Sequence, residues 1–187
     1  MYIEEIHRQG GRTWAYVQSI GSDYPSINEP GIYKLVDSNN SHVVHGNKLY
    51  CYFFNEHLAK YQLKIWMPAV KKLKFDGIHW DSLGSRANNY QAETAGLKEF
   101  LKTSYDVLKE EGLLQTFNFV DNAWLKEDVN YFKKYVTFLY TEVWNENEFQ
   151  RSRSYNYQTV IPYYTDNFLR RIKKFVRNKK CQRFEKD

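Results

Sequence analysis

Cysteine and long apolar runs are the scarcest features of this 187-residue sequence. The two cysteines, Cys51 and Cys181, lie far apart, and neither belongs to a Cys-x-x-Cys pair or stands beside a histidine cluster. This pattern argues against a disulfide framework and against a zinc site, and Cys51, within an apolar run, is predicted to be a core thiol. No stretch approaches the roughly 20 apolar residues that cross a bilayer. Residues 1–5 show no apolar core of a signal peptide, so none is expected in this chain.

The net charge of +5 is concentrated at the C-terminus. A solvated helix face and tail over residues 165–187 explains this cluster, and binding of nucleic acid or another anionic surface is the alternative. The basic residues of the last stretch are Arg170, Arg171, Lys173, Lys174, Arg177, Lys179, Lys180 and Arg183.

Aromatic residues are abundant, at 18% of the chain. This is more than a core alone requires, so some of them are expected to line a surface cleft. Sugar-binding clefts use aromatic platforms, and so do single-stranded nucleic-acid sites, so composition does not choose between them.

Patterning along the chain predicts alternating strands and helices after a polar leader at residues 1–11. Repeated βα units favour a parallel sheet, and a complete eight-stranded barrel takes about 250 residues. We therefore predict one α/β domain over residues 1–187, a partial or minimal TIM-like (β/α) barrel with about five parallel strands and outer helices. The predicted strands are 13–20, a strand or hairpin at 42–54, 75–80, 113–120 and 136–143, with a short strand possible at 32–36. The predicted helices are 56–73, capped by Asn55 and kinked or broken at Pro68, then 93–111, 124–134, and helical material broken by Pro162 with a last helix from about 165.

Two of the predicted strands end in a carboxylate. Asp81 closes the stretch FDGIHWDSLG (75–84), and Glu142 lies near the end of FLYTEVW (138–144). In a parallel barrel the loops that follow the strands build the site, so these two side chains are expected to face one cleft. Two carboxylates among aromatics are the least that cleavage of a glycosidic bond requires. Taken alone, an Asp at a strand end is more often a helix cap or a turn residue.

Several neighbours are candidates for binding substrate around these carboxylates. Alternation places His79 on the same face as Asp81, where it contacts a sugar, orients Asp81 or is simply buried. An aromatic pocket around Glu142 would help an acid keep its proton through desolvation. For each aromatic candidate, packing in the core is the competing role. The candidate substrate-binding residues from this reasoning are His79, Trp80, Tyr140 and Trp144.

Together these segments resemble glycoside hydrolase family 66, the family of dextranases and cycloisomaltooligosaccharide glucanotransferases. FDGIHWDSLG is similar to its nucleophile segment and FLYTEVW to its acid/base segment. TFNFV (116–120) is similar to the strand that places an Asn near the site, and WAY (14–16) to an earlier barrel strand. The resemblance therefore adds Asn118, Trp14 and Tyr16 to the candidate substrate-binding residues. The resemblance implies a retaining, endo-acting, dextranase-like enzyme on α-1,6-glucan, with Asp81 as nucleophile, Glu142 as acid/base and no metal or organic cofactor. Members of the family are often secreted. They are also much longer, with a full barrel flanked by β-domains.

Two other functions stay open. A non-catalytic carbohydrate-binding or degenerate hydrolase fragment would keep the cleft without turnover. A nucleic-acid-binding protein would use the basic C-terminus, with an affinity that falls steeply with salt. The expected partner in the leading hypothesis is an oligosaccharide or polysaccharide.

Overall fold

Five parallel strands form the central sheet of the protein, in the spatial order β1–β5–β6–β7–β8. The computed structural model describes residues 2–23, 26–37, 39–45, 49–82, 90–143, 146–155, 157 and 159–160. The five strands are β1 (Trp14–Gln18), β5 (Gly77–Asp81), β6 (Leu114–Asn118), β7 (Leu139–Tyr140) and β8 (Thr159–Val160).

A smaller antiparallel sheet lies in the chain between β1 and the first long helix, with strand order β2–β4–β3. Its strands are β2 (Gly21–Ser22), β3 (Val44–His45) and β4 (Leu49–Cys51). The hairpin predicted over 42–54 is therefore confirmed, but its place in the parallel sheet was wrong, because β8 is the fifth parallel strand. Within 32–36 the structure shows only isolated bridges, at Lys34 and Val36. Cys51 is fully buried, as predicted.

The helices of the described residues are one short N-terminal helix and four that follow the strands or the small sheet. They are α1 (Tyr2–Arg8), α2 (Glu56–Leu73), α3 (Tyr90–Glu110), α4 (Leu125–Phe132) and α5 (Glu146–Arg153). Helix α3 packs on β6 and contacts both α2 and α4, and side chains of these helices share one core with those of the strands. The polar leader predicted over 1–11 is wrong for 2–8, which form α1. None of the described helices is long and apolar enough to span a membrane.

Local signals explain the bounds of α2. The Asn55 side chain accepts a hydrogen bond from the backbone N–H of Leu58 at 2.8 Å, which satisfies one of the free donors of the first turn. At the other end Lys74 adopts a left-handed conformation with φ 60°. Of the kink or break expected at Pro68, the break does not occur, since α2 continues through this residue to Leu73. The loss of one backbone hydrogen bond at Pro68 is outweighed by the buried face of the helix.

Alternation along the strands divides the sheet into two faces. One side faces the helices and is buried, including Val17, Ile78 and Phe117. The opposite side, which we call the open face, comprises Trp14, Tyr16, Gln18, His79, Asp81, Thr116, Asn118, Tyr140 and Glu142.

Trp80 lies on the helix side of the sheet and not on the open face. It is fully buried, packs edge-on against Phe100, and donates from its indole N–H to Gln115 at 3.0 Å. The expectation that it stacks on a sugar is therefore wrong for this structure, because its neighbours His79 and Asp81 occupy the other face of the same strand.

The starts of β1 and β5 are fastened to α1 by Asp76. One oxygen of this carboxylate accepts from the backbone N–H of Thr13 at 2.6 Å, from its hydroxyl at 3.1 Å and from the His7 ring at 2.8 Å. Burial alone would raise the pKa of Asp76, but the hydrogen bonds from Thr13 and His7 lower it below its ordinary value. The next residue, Gly77, leaves no room for a side chain, because a Cβ there would lie 2.3 Å from the Leu114 carbonyl oxygen.

We expect Asp76→Asn to lower the free energy of unfolding by about 1–2 kcal/mol near neutral pH, because an amide replaces an acceptor of several hydrogen bonds. The folded pKa of Asp76 is depressed, so its stabilisation is complete above the unfolded value of about 3.9 and is lost as the pH falls through the folded value. Urea unfolding of both proteins between pH 3 and 7 measures this. Asp106→Asn, which removes an exposed ion pair with Lys102, is the control and should change little.

Candidate active site

Both predicted carboxylates lie at the C-terminal edge of the parallel sheet. Asp81 is the last residue of β5, and Asn118 is the last residue of the neighbouring strand β6. Glu142 lies two residues beyond Tyr140, where β7 ends. Because parallel strands present their carboxyl ends at the same edge, Asp81 and Glu142 meet here although 61 positions separate them in the chain.

The Asn118 amide joins the two carboxylates. Its Nδ2 donates to Asp81 Oδ1 at 2.8 Å and to Glu142 Oε2 at 3.1 Å, and its Oδ1 accepts from the backbone N–H of Glu142 at 3.3 Å. Adding the two Nδ2 distances sets an upper limit of 5.9 Å on the separation of these carboxylate oxygens. Only 2% of Asn118 is exposed, so its position is fixed by the sheet around it.

The second oxygen of Asp81 faces β1. The Tyr16 hydroxyl donates a short hydrogen bond to Asp81 Oδ2, and the Gln18 amide nitrogen lies 3.5 Å from the same oxygen. Both residues come from the open face of β1, whose register pairs Gln18 with Asp81. Among the described residues, no lysine or arginine forms an ion pair with Asp81 or Glu142. The carboxylates are therefore held by neutral donors.

Hydrogen bonds from behind the sheet hold the strand ends in place. The backbone N–H and the hydroxyl of Ser19 donate to the Asp81 carbonyl oxygen at 2.9 Å and 2.6 Å. The Ser82 hydroxyl donates to the Asn118 carbonyl oxygen at 2.7 Å. The backbone carbonyl groups of Asp81 and Asn118 are thus both held by hydrogen bonds from neighbouring residues.

His79 forms the floor of the site between two tyrosines. Its ring centroid lies 5.9 Å from that of Tyr16 and 4.8 Å from that of Tyr140, and its Nδ1 lies 2.7 Å from the Thr116 hydroxyl oxygen. Burial lowers the pKa of His79, while the nearby charge of Asp81 acts in the opposite direction. The imidazole is therefore neutral at neutral pH. Burial also raises the pKa of Tyr16, with a further contribution from its bond to Asp81, so this phenol stays a donor.

The structure brings together most of the residues predicted for the site. Asp81, Glu142, Asn118, Tyr16, His79 and Tyr140 share one end of the open face. Trp14 lies at the opposite end of β1, where it packs edge-on against Phe138 with centroids 5.7 Å apart. Trp144, residue Pro162 and the basic segment 165–187 lie outside the described residues.

Sequence analysis missed two contributors, Gln18 and Thr116. Both follow from alternation once the register is known, since Gln18 stands beside Asp81 and Thr116 beside His79. The sequence alone carries no signal for that register. In the described part of the chain, no three His, Cys, Asp or Glu side chains are grouped so that they could hold a metal ion.

The model of glycosyl hydrolase family 66 matches residues 1–181 of the chain. The chain belongs to this family. The resemblance seen in the two carboxylate segments is thereby confirmed at the level of the family.

Both relatives described below are considerably longer than this chain. It is 27% identical over 180 residues to the cycloisomaltooligosaccharide glucanotransferase of Niallia circulans, a match that covers 82% of this chain and 18% of that protein. Its fold is similar, with a TM-score of 0.62 and 24% identity, to the crystal structure of a cycloisomaltooligosaccharide glucanotransferase from Paenibacillus sp. complexed with cycloisomaltoheptaose. That match covers 88% of this chain and 28% of the solved one. The five-stranded parallel sheet with its helices is thus shared with this enzyme.

We expect Asp81→Asn to lower the pKa of His79 further, because the substitution removes the negative charge that favours the imidazolium. The ring proton signals of His79, followed by NMR from pH 4 to pH 8, measure the shift. Glu142→Gln is the matched control, since the opposing charge at His79 comes from Asp81, and it should leave the His79 titration nearly unchanged. An upward shift of the His79 pKa in Asp81→Asn would contradict this electrostatic interaction.

Proposed function

We propose that the protein acts on α-1,6-linked glucan as a retaining glycoside hydrolase, with Asp81 as nucleophile and Glu142 as acid/base. The observation that carries the proposal is the pair of carboxylates bridged by Asn118. Retaining enzymes place their carboxyl groups about 5–5.5 Å apart, whereas inverting enzymes need about 6.5–9.5 Å to admit a water molecule. The limit of 5.9 Å that the hydrogen bonds set on one pair of carboxylate oxygens supports the first arrangement over the second.

In the first step, Asp81 attacks the anomeric carbon while Glu142 gives its proton to the glycosidic oxygen, which leaves with the bonding electron pair. In the second step, Glu142 takes a proton from water, which displaces Asp81 and restores the original configuration. Asn118 holds the two carboxyl groups at a fixed separation throughout. The Tyr16 hydroxyl stabilises Asp81 when it leaves as a carboxylate, because hydrogen bonds to an ionised acceptor are stronger than those to an ester oxygen.

The substrate class rests on the relatives. The curated relative and the solved structure are both cycloisomaltooligosaccharide glucanotransferases, and the latter holds cycloisomaltoheptaose. These names favour a second candidate reaction, transfer of the glycosyl group to a sugar hydroxyl. Transfer uses the same first step and differs only in the acceptor that displaces Asp81. The relative amounts of reducing sugar and of longer or cyclic products from dextran distinguish the two reactions.

Asp81→Asn and Glu142→Gln should each abolish most of the activity on dextran, by about 1,000-fold or more for Asp81 and about 100- to 10,000-fold for Glu142. Reducing-sugar release and chromatography of the products measure the loss. Glu111→Gln, which alters a carboxyl just beyond the C-terminus of α3 that pairs with Lys71, is the control and should retain activity. Wild-type activity in Asp81→Asn would contradict the assignment.

Azide separates the two roles when the leaving group is a nitrophenolate that needs no acid. In Glu142→Ala the covalent intermediate still forms, and azide, which needs no base, should displace Asp81 to give an α-glycosyl azide. In Asp81→Ala azide should attack directly and give the β-glycosyl azide. NMR of the products from 4-nitrophenyl α-isomaltoside identifies each anomer. The opposite pattern would exchange the roles of the two carboxyl groups.

A further inference from the structure

A second pocket lies beside the candidate active site, on the side of β1 away from β5. It is enclosed by β1, the following segment 21–23 and the middle of α2, and its volume is about 340 Å³. That volume falls within the usual range of roughly 300–1,000 Å³ for small-ligand sites. Nothing in the mechanism proposed above uses it.

Exposed aromatic rings form two walls of this pocket. Tyr16 is 67% exposed and Trp66 is 41% exposed, which is unusual for side chains of this size. The Trp66 ring is nonetheless held in place, because its indole N–H donates to the Gln62 side chain at 3.0 Å. Gln62 is buried, and its amide nitrogen lies 3.4 Å from the Ser19 carbonyl oxygen and 3.5 Å from that of Gly21. Trp66 is therefore a preorganised platform.

The pocket is continuous with the carboxylates. Tyr16 and Gln18 line it and also contact Asp81. Gln18 Oε1 is buried without a hydrogen-bond partner among the described residues. A buried acceptor left without a donor is uncommon in folded proteins. The last torsion of glutamine is broad, so this oxygen is free to rotate, and Gln18 is one of the residues that line the pocket.

We propose that this pocket is a further subsite for the glucan, with Trp66 as the stacking platform and Gln18 as acceptor for a sugar hydroxyl. This rests on the proposed function. Glu142, which protonates the leaving oxygen, lies on the β7 side of Asp81, and the pocket lies on the β1 side. The pocket therefore binds the part of the glucan that stays attached to Asp81 in the covalent intermediate, one or more glucose units from the cleavage point.

Titration calorimetry with isomaltose and longer isomaltooligosaccharides tests the subsite without requiring turnover, using the full chain carrying Glu142→Gln as the parent. Affinity should increase with chain length in the parent. Adding Trp66→Leu, which keeps an apolar side chain but removes the ring, should weaken binding of the longer sugars about 3- to 10-fold and leave isomaltose nearly unchanged. Leu73→Ala, on the same helix outside the pocket, is the control and should have no effect.

Gln18→Leu supplies a second, independent measurement. Removing an unpartnered buried acceptor should raise the Tm. Loss of its contact with a sugar hydroxyl should weaken the binding of the longer sugars about 2- to 10-fold. A purely structural role would lower the Tm and leave affinity unchanged.

The possible failures are distinguishable. Length-dependent binding that Trp66→Leu leaves intact would overturn the subsite and leave the proposed function standing. A self-associating parent that Trp66→Leu converts to monomer, without a change in sugar affinity, would assign the pocket to a protein contact and also overturn the subsite. Absence of any sugar binding by the parent would overturn both proposals.

Discussion

The double hydrogen bond of Asn118 is the constraint on which the site depends. A single amide nitrogen donates to Asp81 and Glu142 and uses both of its hydrogens, while its oxygen accepts from the Glu142 backbone. Asn118 can do this because it ends the strand between β5 and β7 and is almost entirely buried. A lysine in its place would add a positive charge beside the two carboxylates, whereas the neutral amide limits the distance between them without adding a charge.

The division of the sheet into two faces explains how one set of aromatic residues serves two purposes. Trp80, Phe117 and Trp124 face the helices, where they bury large apolar areas and stabilise the sheet. Tyr16, His79 and Tyr140 alternate with the buried positions and form a row of rings across the open face. The rigid core therefore sets the spacing of the rings that surround the carboxylates, and a shift of one residue in register would exchange the two sets.

The long elements could be predicted from the sequence because their signals are local. The Asn55 cap and the apolar periodicity define α2, and the apolar run before Asp81 defines β5. The elements α1 and β8 were not predicted, and β7 was predicted too long, since these short elements are held by tertiary contacts rather than by their own propensity. The two carboxylates were predicted because strand ends in a parallel sheet converge, whereas Asn118 was predicted from the family resemblance of residues 116–120. Trp80 was misplaced, although the alternation that sets His79 beside Asp81 also sets Trp80 on the opposite face of β5.

Tyr16 connects the hydrogen bonds of the site to its exposure. Its hydroxyl is bonded to Asp81, yet 67% of its surface is open to water, so this hydrogen bond is made at the boundary of the protein. Electrostatic interactions strengthen as water is excluded. In the proposed reaction, a sugar ring lying on Tyr16 would therefore shield the phenol–carboxylate contact when Asp81 attacks. The exposed rings of the open face would then be covered by the sugar.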